Sequence, residues 1–235
     1  MKYDGKMKKA ITKDWEKEFS TFEVWKPTRL ISRYGSLLVG ICLDTGSDTE
    51  SYNPTAHMHN LCEPFSVITL SLAGNVLNDK GLPTQVKVKN HTETYMQFVE
   101  KIKRDYPYTN KNAIDFNDIV LATQKYINGR VIPFQHVPYN FIITTAAYLG
   151  QTDYAIEALN NFATIISSWP DRAFNIIGSV EKWHDGLLEL IKNPDKLRKN
   201  VEEEIIKHKL TEINDNGLIW PEKPLKLWEM SCKTI

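Results

Sequence analysis

Residues 74–102 read GNVLNDKGLPTQVKVKNHTETYMQFVEKI, and a change of hydrophobic spacing inside this stretch decides the fold. Its first half, Gly74 to Lys89, mixes Asn, Asp, Gly and Pro, the residues that interrupt regular structure. In the second half Tyr95, Phe98, Val99 and Ile102 fall at i, i+3, i+4 and i+7, which places them on one face of a helix. The spacing before this stretch is that of strands, and after it that of helices.

Toward the N-terminus, Thr28–Tyr34, Ser36–Leu43 and Phe65–Leu72 are rich in Val, Ile, Leu and Thr and are bounded by turn residues. The segment from Ser66 to Leu72 begins with a Val-Ile pair and then alternates, as a strand with one wet face does. Asp44 to Ser51 is a polar loop, and Pro54–Asn60 is expected to return from it as an edge strand, where a leading proline removes no ladder bond. A mostly antiparallel sheet of three to five strands follows.

Toward the C-terminus, Asp115 is placed to cap a helix carrying Ile119, Val120, Thr123 and Ile127, which Asn128-Gly129 closes. Helices are expected over 139–149, 153–167, 172–191 and 195–213, the last opened by Asn193-Pro194. The tail from Trp220 to Trp228 holds two prolines and two tryptophans, and such rings predict docking rather than a free end. No stretch has the composition of a flexible tether. The expectation is one α+β domain over 1–235: β-rich over 20–90, helical over 91–213, with a docked tail over 214–235 and the helices roofing the sheet.

Composition narrows the function classes. With 29 basic and 29 acidic side chains in 235 residues, the chain lacks the cationic surplus that phosphate contacts demand, so nucleic acid is not an expected partner. The lysines Lys6, Lys8 and Lys9 read as a solvated start of the chain. Three cysteines make no disulfide framework and fit a reducing compartment. Neither an apolar leader nor a bilayer-length apolar run is visible, so a cytoplasmic protein with no membrane partner is expected.

Tyr148-Leu149-Gly150-Gln151-Thr152-Asp153-Tyr154-Ala155 resembles the turn and second helix of a tetratricopeptide unit, in a helical hairpin spanning about 139–167. The resemblance implies that Gly150 ends the first helix and that Ala155 lets two helices approach closely. No second copy follows about 34 residues later, where His184 and Asp185 stand in place of the Leu-Gly pair. The peptide groove that the family builds from stacked repeats is therefore not implied.

Several groupings bear on chemistry. Asp44-Thr45-Gly46-Ser47 after an apolar run resembles the active-site element of aspartic proteases, but a second such aspartate, needed to share one proton, is missing from the sequence. On a strand His57 and His59 share a face, and Cys62 with them suggests a soft metal site that Asp44 or Glu63 would complete. Asp44, Asp48 and Glu50 lack the spacing of a calcium loop. A thiol nucleophile would need Cys42 or Cys62 beside His57, His59 or His136, and Cys42 sits in an apolar strand. The turn from Ile132 to Asn140 offers Phe134, His136 and Tyr139 to a partner. No glycine-rich phosphate loop occurs.

Two readings result. The first is a non-enzymatic, protein-binding module without a cofactor, such as a bacterial inhibitor of the immunity or antitoxin kind. Asp44, Asp48, Glu50, Tyr52, Phe134, His136 and Tyr139 are its contact candidates. The alternative is a hydrolase or metal-dependent enzyme using Asp44, His57 and His59, with Cys62 as a further ligand.

Overall fold

The computed structural model describes residues 2–46, 48–129 and 135–230. The architecture is α+β, with an antiparallel sheet in the N-terminal part and most helices in the C-terminal part. The chain resolves into two compact units made of interleaved segments: residues 1–59, 73–114 and 210–217 in the first, residues 60–72, 115–209 and 218–235 in the second.

The first unit opens with a helix where a solvated start was expected. Asp4 caps α1 (Gly5–Glu16), its carboxylate accepting from the backbone N–H groups of Lys6 and Met7 at 3.0 Å each. Lys6, Lys9 and Lys13 face solvent while Ile11 and Trp15 are buried, so the lysines form the wet side of an amphipathic helix. The sheet runs in the order β1 (Glu23–Lys26), β2 (Arg29–Tyr34), β3 (Leu37–Thr45), β4 (Ser51–Asn60), β5 (Ser71–Asn75), with β6 (Val86–Lys87) also paired to β4. β2 and β3 match the strands expected from sequence.

Two expectations about strands are corrected. The segment from Pro54 to Asn60 is no edge: it lies in β4, between β3 and β5, and every one of its residues is buried. Gly46 and Ser51 form a hydrogen-bonded pair, Gly46 N–H to the Ser51 carbonyl at 2.8 Å, so by alternation the nitrogen of Pro54 faces away from β3. β6 pairs only Ser51 and Tyr52, so Pro54 lies just past that pairing. Phe65–Leu72 is irregular up to Leu70, and only Ser71 and Leu72 enter β5. Within the second unit the Phe65 N–H donates to Glu204 Oε2 at 3.2 Å and Lys207 Nζ donates to the Phe65 carbonyl, which withdraws that backbone from any ladder.

Helix α2 (His91–Asp105) buries Val99 and Ile102, as the spacing predicts. The apolar face of the sheet, with Leu30, Leu37, Val39, Ile41 and Tyr52, belongs to the same unit as α1 and α2. Trp15 of α1 donates its indole N–H to the Tyr52 hydroxyl at 3.0 Å and lies 6.4 Å from the ring of Tyr95 on α2.

In the second unit, α3 (Phe116–Gly129) is preceded by a reciprocal cap: Asp118 N–H donates to Asp115 Oδ1, and Asp115 N–H to Asp118 Oδ2, each at 3.2 Å. Then come α4 (Val137–Tyr148), α5 (Thr152–Ser167), the four-residue α6 (Phe174–Ile177), α7 (Val180–Lys192) and α8 (Pro194–Lys207). Gly150, at φ +76°, joins α4 to α5, and Ala155 is wholly buried. The helix expected over 172–191 is broken at Gly178, whose φ of +81° ends α6 before Ser179 caps α7. α8 stops at Lys207 rather than near Ile213, with Lys209 in the left-handed region at φ +57°.

Trp15 is fully buried, so replacing it by Ala leaves a large cavity and removes one of the two hydrogen bonds of the Tyr52 hydroxyl. Trp15→Ala is expected to lower unfolding free energy by about 3–5 kcal/mol in urea titrations, while an exposed change such as Lys9→Ala stays within about 0.5 kcal/mol.

Candidate functional site

The two faces of the first unit's sheet differ in chemistry. Arg29 pairs with Cys42 and Ile31 with Gly40 across β2 and β3, which puts these four residues on one face. Gly40 also lies against His57 of β4: a Cβ added there would come within 2.1 Å of His57 Nε2. By alternation Asp44 joins this face from β3, and Asn53, Thr55 and His59 from β4. Gly40 is therefore required by the imidazole stacked on its backbone. The face is polar, yet Cys42, Thr55, His57 and His59 are all buried.

One ion pair on this face joins β2 to β3. Arg29 binds Asp44 in a two-pronged arrangement, Nη1 to Oδ1 at 2.6 Å and Nη2 to Oδ2 at 3.0 Å. Burial pulls the Asp44 carboxyl upward, but the Arg29 guanidinium and the Cys42 thiol hold it below the usual range. Burial, with Asp44 beside it, pushes the Cys42 thiol up to about 12. That thiol is protonated at neutral pH and is no nucleophile. His57 is driven down to about 3, first by burial and then by His59 and Arg29. It is a neutral imidazole throughout the physiological range, and among the described residues neither of its nitrogens has a hydrogen-bond partner.

Among the described residues, no three of Cys42, Asp44, His57 and His59 bring donor atoms within 4.8 Å of one another. Cys62 belongs to the second unit, where its Sγ lies 3.7 Å from the Thr144 carbonyl. Its neighbour Glu63 is raised by burial and receives a hydrogen bond from Asn140 Nδ2 at 3.0 Å, while Trp183 Nε1–H donates to the same Asn140 side chain at 2.9 Å.

The surface candidates divide. Asp48 and Glu50 are exposed on the turn between β3 and β4. Tyr52, by contrast, is wholly buried and presents nothing to a partner: its ring points into the apolar face. Tyr139 is half-exposed and stacks on Phe162 at 4.5 Å, and His136, lowered by burial, sits at the start of α4 with its carbonyl accepting from Tyr139 and Asn140. Phe134 lies outside the described residues.

Sequence reading missed a buried chain through Tyr52. The Tyr52 oxygen accepts from Trp15 Nε1–H, and the hydroxyl lies 2.9 Å from His91 Nδ1, whose Nε2 lies 3.3 Å from Asp14 Oδ2. One proton assignment satisfies every atom: His91 carries its proton on Nε2, and Tyr52 donates to Nδ1. Tyr95 covers His91 in a stack 4.6 Å between centroids. Burial keeps His91 below its usual range, although Asp14 works against that. Arg29 and Gly40 were missed too. The signal for both was the alternation of polar residues at 53, 55, 57 and 59, which demands polar or small neighbours across the ladder.

Comparison with family models, with curated proteins and with solved structures finds no match to this chain. Among the described residues no helix is long and apolar enough to cross a membrane.

Two outcomes follow from His57. Gly40→Ala is expected to cost about 1–3 kcal/mol, and most of that loss is recovered in Gly40→Ala/His57→Ala relative to His57→Ala alone, read as a double-mutant cycle in urea. Because the folded state holds His57 at about 3 against 6.5 when unfolded, the unfolded chain binds the extra proton between these values. Stability therefore falls as pH drops from 6.5 toward 3, by roughly 4–5 kcal/mol at about 1.4 kcal/mol per pH unit, and a His57→Gln variant shows a shallower acid slope.

Proposed function

We propose that this chain is a protein-binding module of the inhibitory kind, whose contact surface is the acidic turn between β3 and β4. One observation carries the reading: the turn is exposed and yet fixed from several sides. Asp48 Oδ2 is paired with Lys87 Nζ of β6 at 2.5 Å, and Asp48 Oδ1 accepts the Glu50 N–H at 2.8 Å. Val88 N–H donates to the Glu50 carbonyl at 2.8 Å, and Tyr3 N–H to the Thr49 carbonyl at 2.7 Å. Ser51 Oγ donates to Gln85 Oε1 at 2.6 Å, and a side chain at Gly46 would collide with both. A turn held this way loses little conformational freedom on binding, so its carboxylates meet a basic partner surface in a geometry already set. Asp48 is held below the usual carboxylate range, chiefly by Lys87, and is ionised at neutral pH.

A second reading, an enzyme built on Asp44, His57 and His59, draws on the two unpartnered nitrogens of the buried His57. Against it stand the Asp44–Arg29 pairing and a His57 too weakly basic to take a proton at neutral pH. Stoichiometric zinc in the purified chain, lost in a folded His57→Ala/His59→Ala variant, would favour this reading.

The binding reading is tested by affinity capture from the native host with the wild-type chain and an Asp48→Lys/Glu50→Lys variant. The wild type is expected to retain one protein with a basic surface, and the variant, still folded by its circular dichroism, to bind it at least about tenfold more weakly. Equal capture by both chains overturns the assignment of the surface.

A further inference from the structure

The two hydrogen-bond neighbours of the Tyr52 hydroxyl fix which way its proton points. Trp15 Nε1–H donates to the oxygen at 3.0 Å, which leaves the phenolic proton for His91 Nδ1 at 2.9 Å. An indole nitrogen only donates, so Trp15 offers that proton no alternative. A neutral His91 with its hydrogen on Nε2 completes the series toward Asp14 Oδ2 at 3.3 Å. A protonated His91 carries hydrogens on both nitrogens and turns a second donor on Tyr52. The Tyr52 oxygen then receives two N–H groups, and its own proton, on a wholly buried side chain, has no acceptor among the described residues.

The surroundings of the imidazole work in the same direction. His91 is buried and is the first residue of α2, where the helix dipole disfavours a cation. Facing the ring are Tyr95 of α2 in its 4.6 Å stack, Tyr52 of β4 and Asp14 of α1. Asp14 favours a charged ring, but its other oxygen is engaged by Lys17 Nζ at 2.9 Å, and the Tyr95 hydroxyl is directed to Glu18 of α1 at 3.3 Å. Burial outweighs Asp14 and holds His91 below its usual range.

This joint is connected to the acidic turn between β3 and β4. The Tyr52 ring stacks on Tyr3, just before α1, at 5.4 Å. Tyr3 in turn donates its hydroxyl to the Leu43 carbonyl at 2.8 Å and its backbone N–H to the Thr49 carbonyl at 2.7 Å. Loosening α1 at Tyr52 therefore removes one of the supports that fix the turn.

We infer that His91 is a proton-operated latch: its protonation breaks the joint between α1, β4 and α2 and loosens the turn between β3 and β4. The folded joint needs the neutral ring, so it is whole above pH 6.5 and weakens as pH falls below 6.5 through the lower value of the folded state. That acid also weakens partner binding rests on the turn being the contact surface. The latch itself does not.

The test follows the full chain by NMR. The ring C–H signals of His91 are titrated in the wild type and in Tyr52→Phe. Without the hydroxyl no phenolic proton competes with the charged ring, so His91 is expected to titrate about half a pH unit or more higher in the variant. Amide exchange then reads the turn at Tyr3 and Gly46, whose N–H groups end on the Thr49 and Ser51 carbonyls. Between pH 7 and pH 5 their protection is expected to fall at least about tenfold further in the wild type than in His91→Gln, whose side chain takes no proton. His57 is present in both chains, so its own titration cancels in the comparison. If His91→Gln does not fold, Tyr52→Phe takes its place. A wild-type His91 that titrates at or above 6.5, equal titration in Tyr52→Phe, or turn protection that falls alike in both chains overturns the latch. None of these readouts involves a partner, so the latch and the contact surface stand or fall separately.

Discussion

A strand buried on both faces while polar on one is the constraint that organises the first unit. β4 carries Tyr52, Ala56 and Met58 on one side and Asn53, Thr55, His57 and His59 on the other, and from Pro54 onward no residue of it is exposed. Burying polar groups costs free energy unless each finds a partner. The neighbouring strands meet this demand in part: Arg29 and Asp44 neutralise each other, and Thr55 Oγ1 donates to Asn75 Oδ1 at 2.9 Å. For His57 the accommodation is steric: Gly40 makes room for the ring, and the ring stays neutral. The same burial that removes the imidazole as a base removes Cys42 as a nucleophile, so residues that look reactive in the sequence are quiet in the fold.

On the other face, polarity is handled by a closed chain of bonds. Trp15, Tyr52, His91 and Asp14 come from three separate elements, and every donor in the series has an acceptor. The arrangement has the geometry of a catalytic relay, but its terminal hydroxyl is sealed in the core and receives the indole N–H. It acts as a joint between α1, β4 and α2. A satisfied buried network fixes one register for the elements it links, because shifting any of them would orphan several groups at once.

Much of the fold was legible because it depends on spacing along the chain. β2, β3, α2, α4 and α5 lie close to where periodicity places them, and the capping role of Asp115 was visible from residue type alone. What escaped depends on partners distant in sequence. The stretch around Phe65 has strand-like composition, yet Glu204 and Lys207 claim its backbone groups. α1 was hidden because its lysines suggested a frayed end, although Asp4, Ile11 and Trp15 already carried the cap and the apolar stripe. The histidine pair on β4 was legible by alternation. The Arg29–Asp44 pair was not, because it needs the register of two strands.

On the acidic turn the carboxylate of Asp48 is already paired before a partner arrives. Asp48 holds Lys87 of β6. A basic partner group reaching Asp48 therefore exchanges one ion pair for another, and the net electrostatic gain is small. Affinity must then come from what surrounds the charge, the main-chain groups fixed in place on the turn. Discrimination follows from the same arithmetic. A partner with the right charge but the wrong geometry gives up the existing pair without forming the flanking bonds, and binds worse than no contact at all.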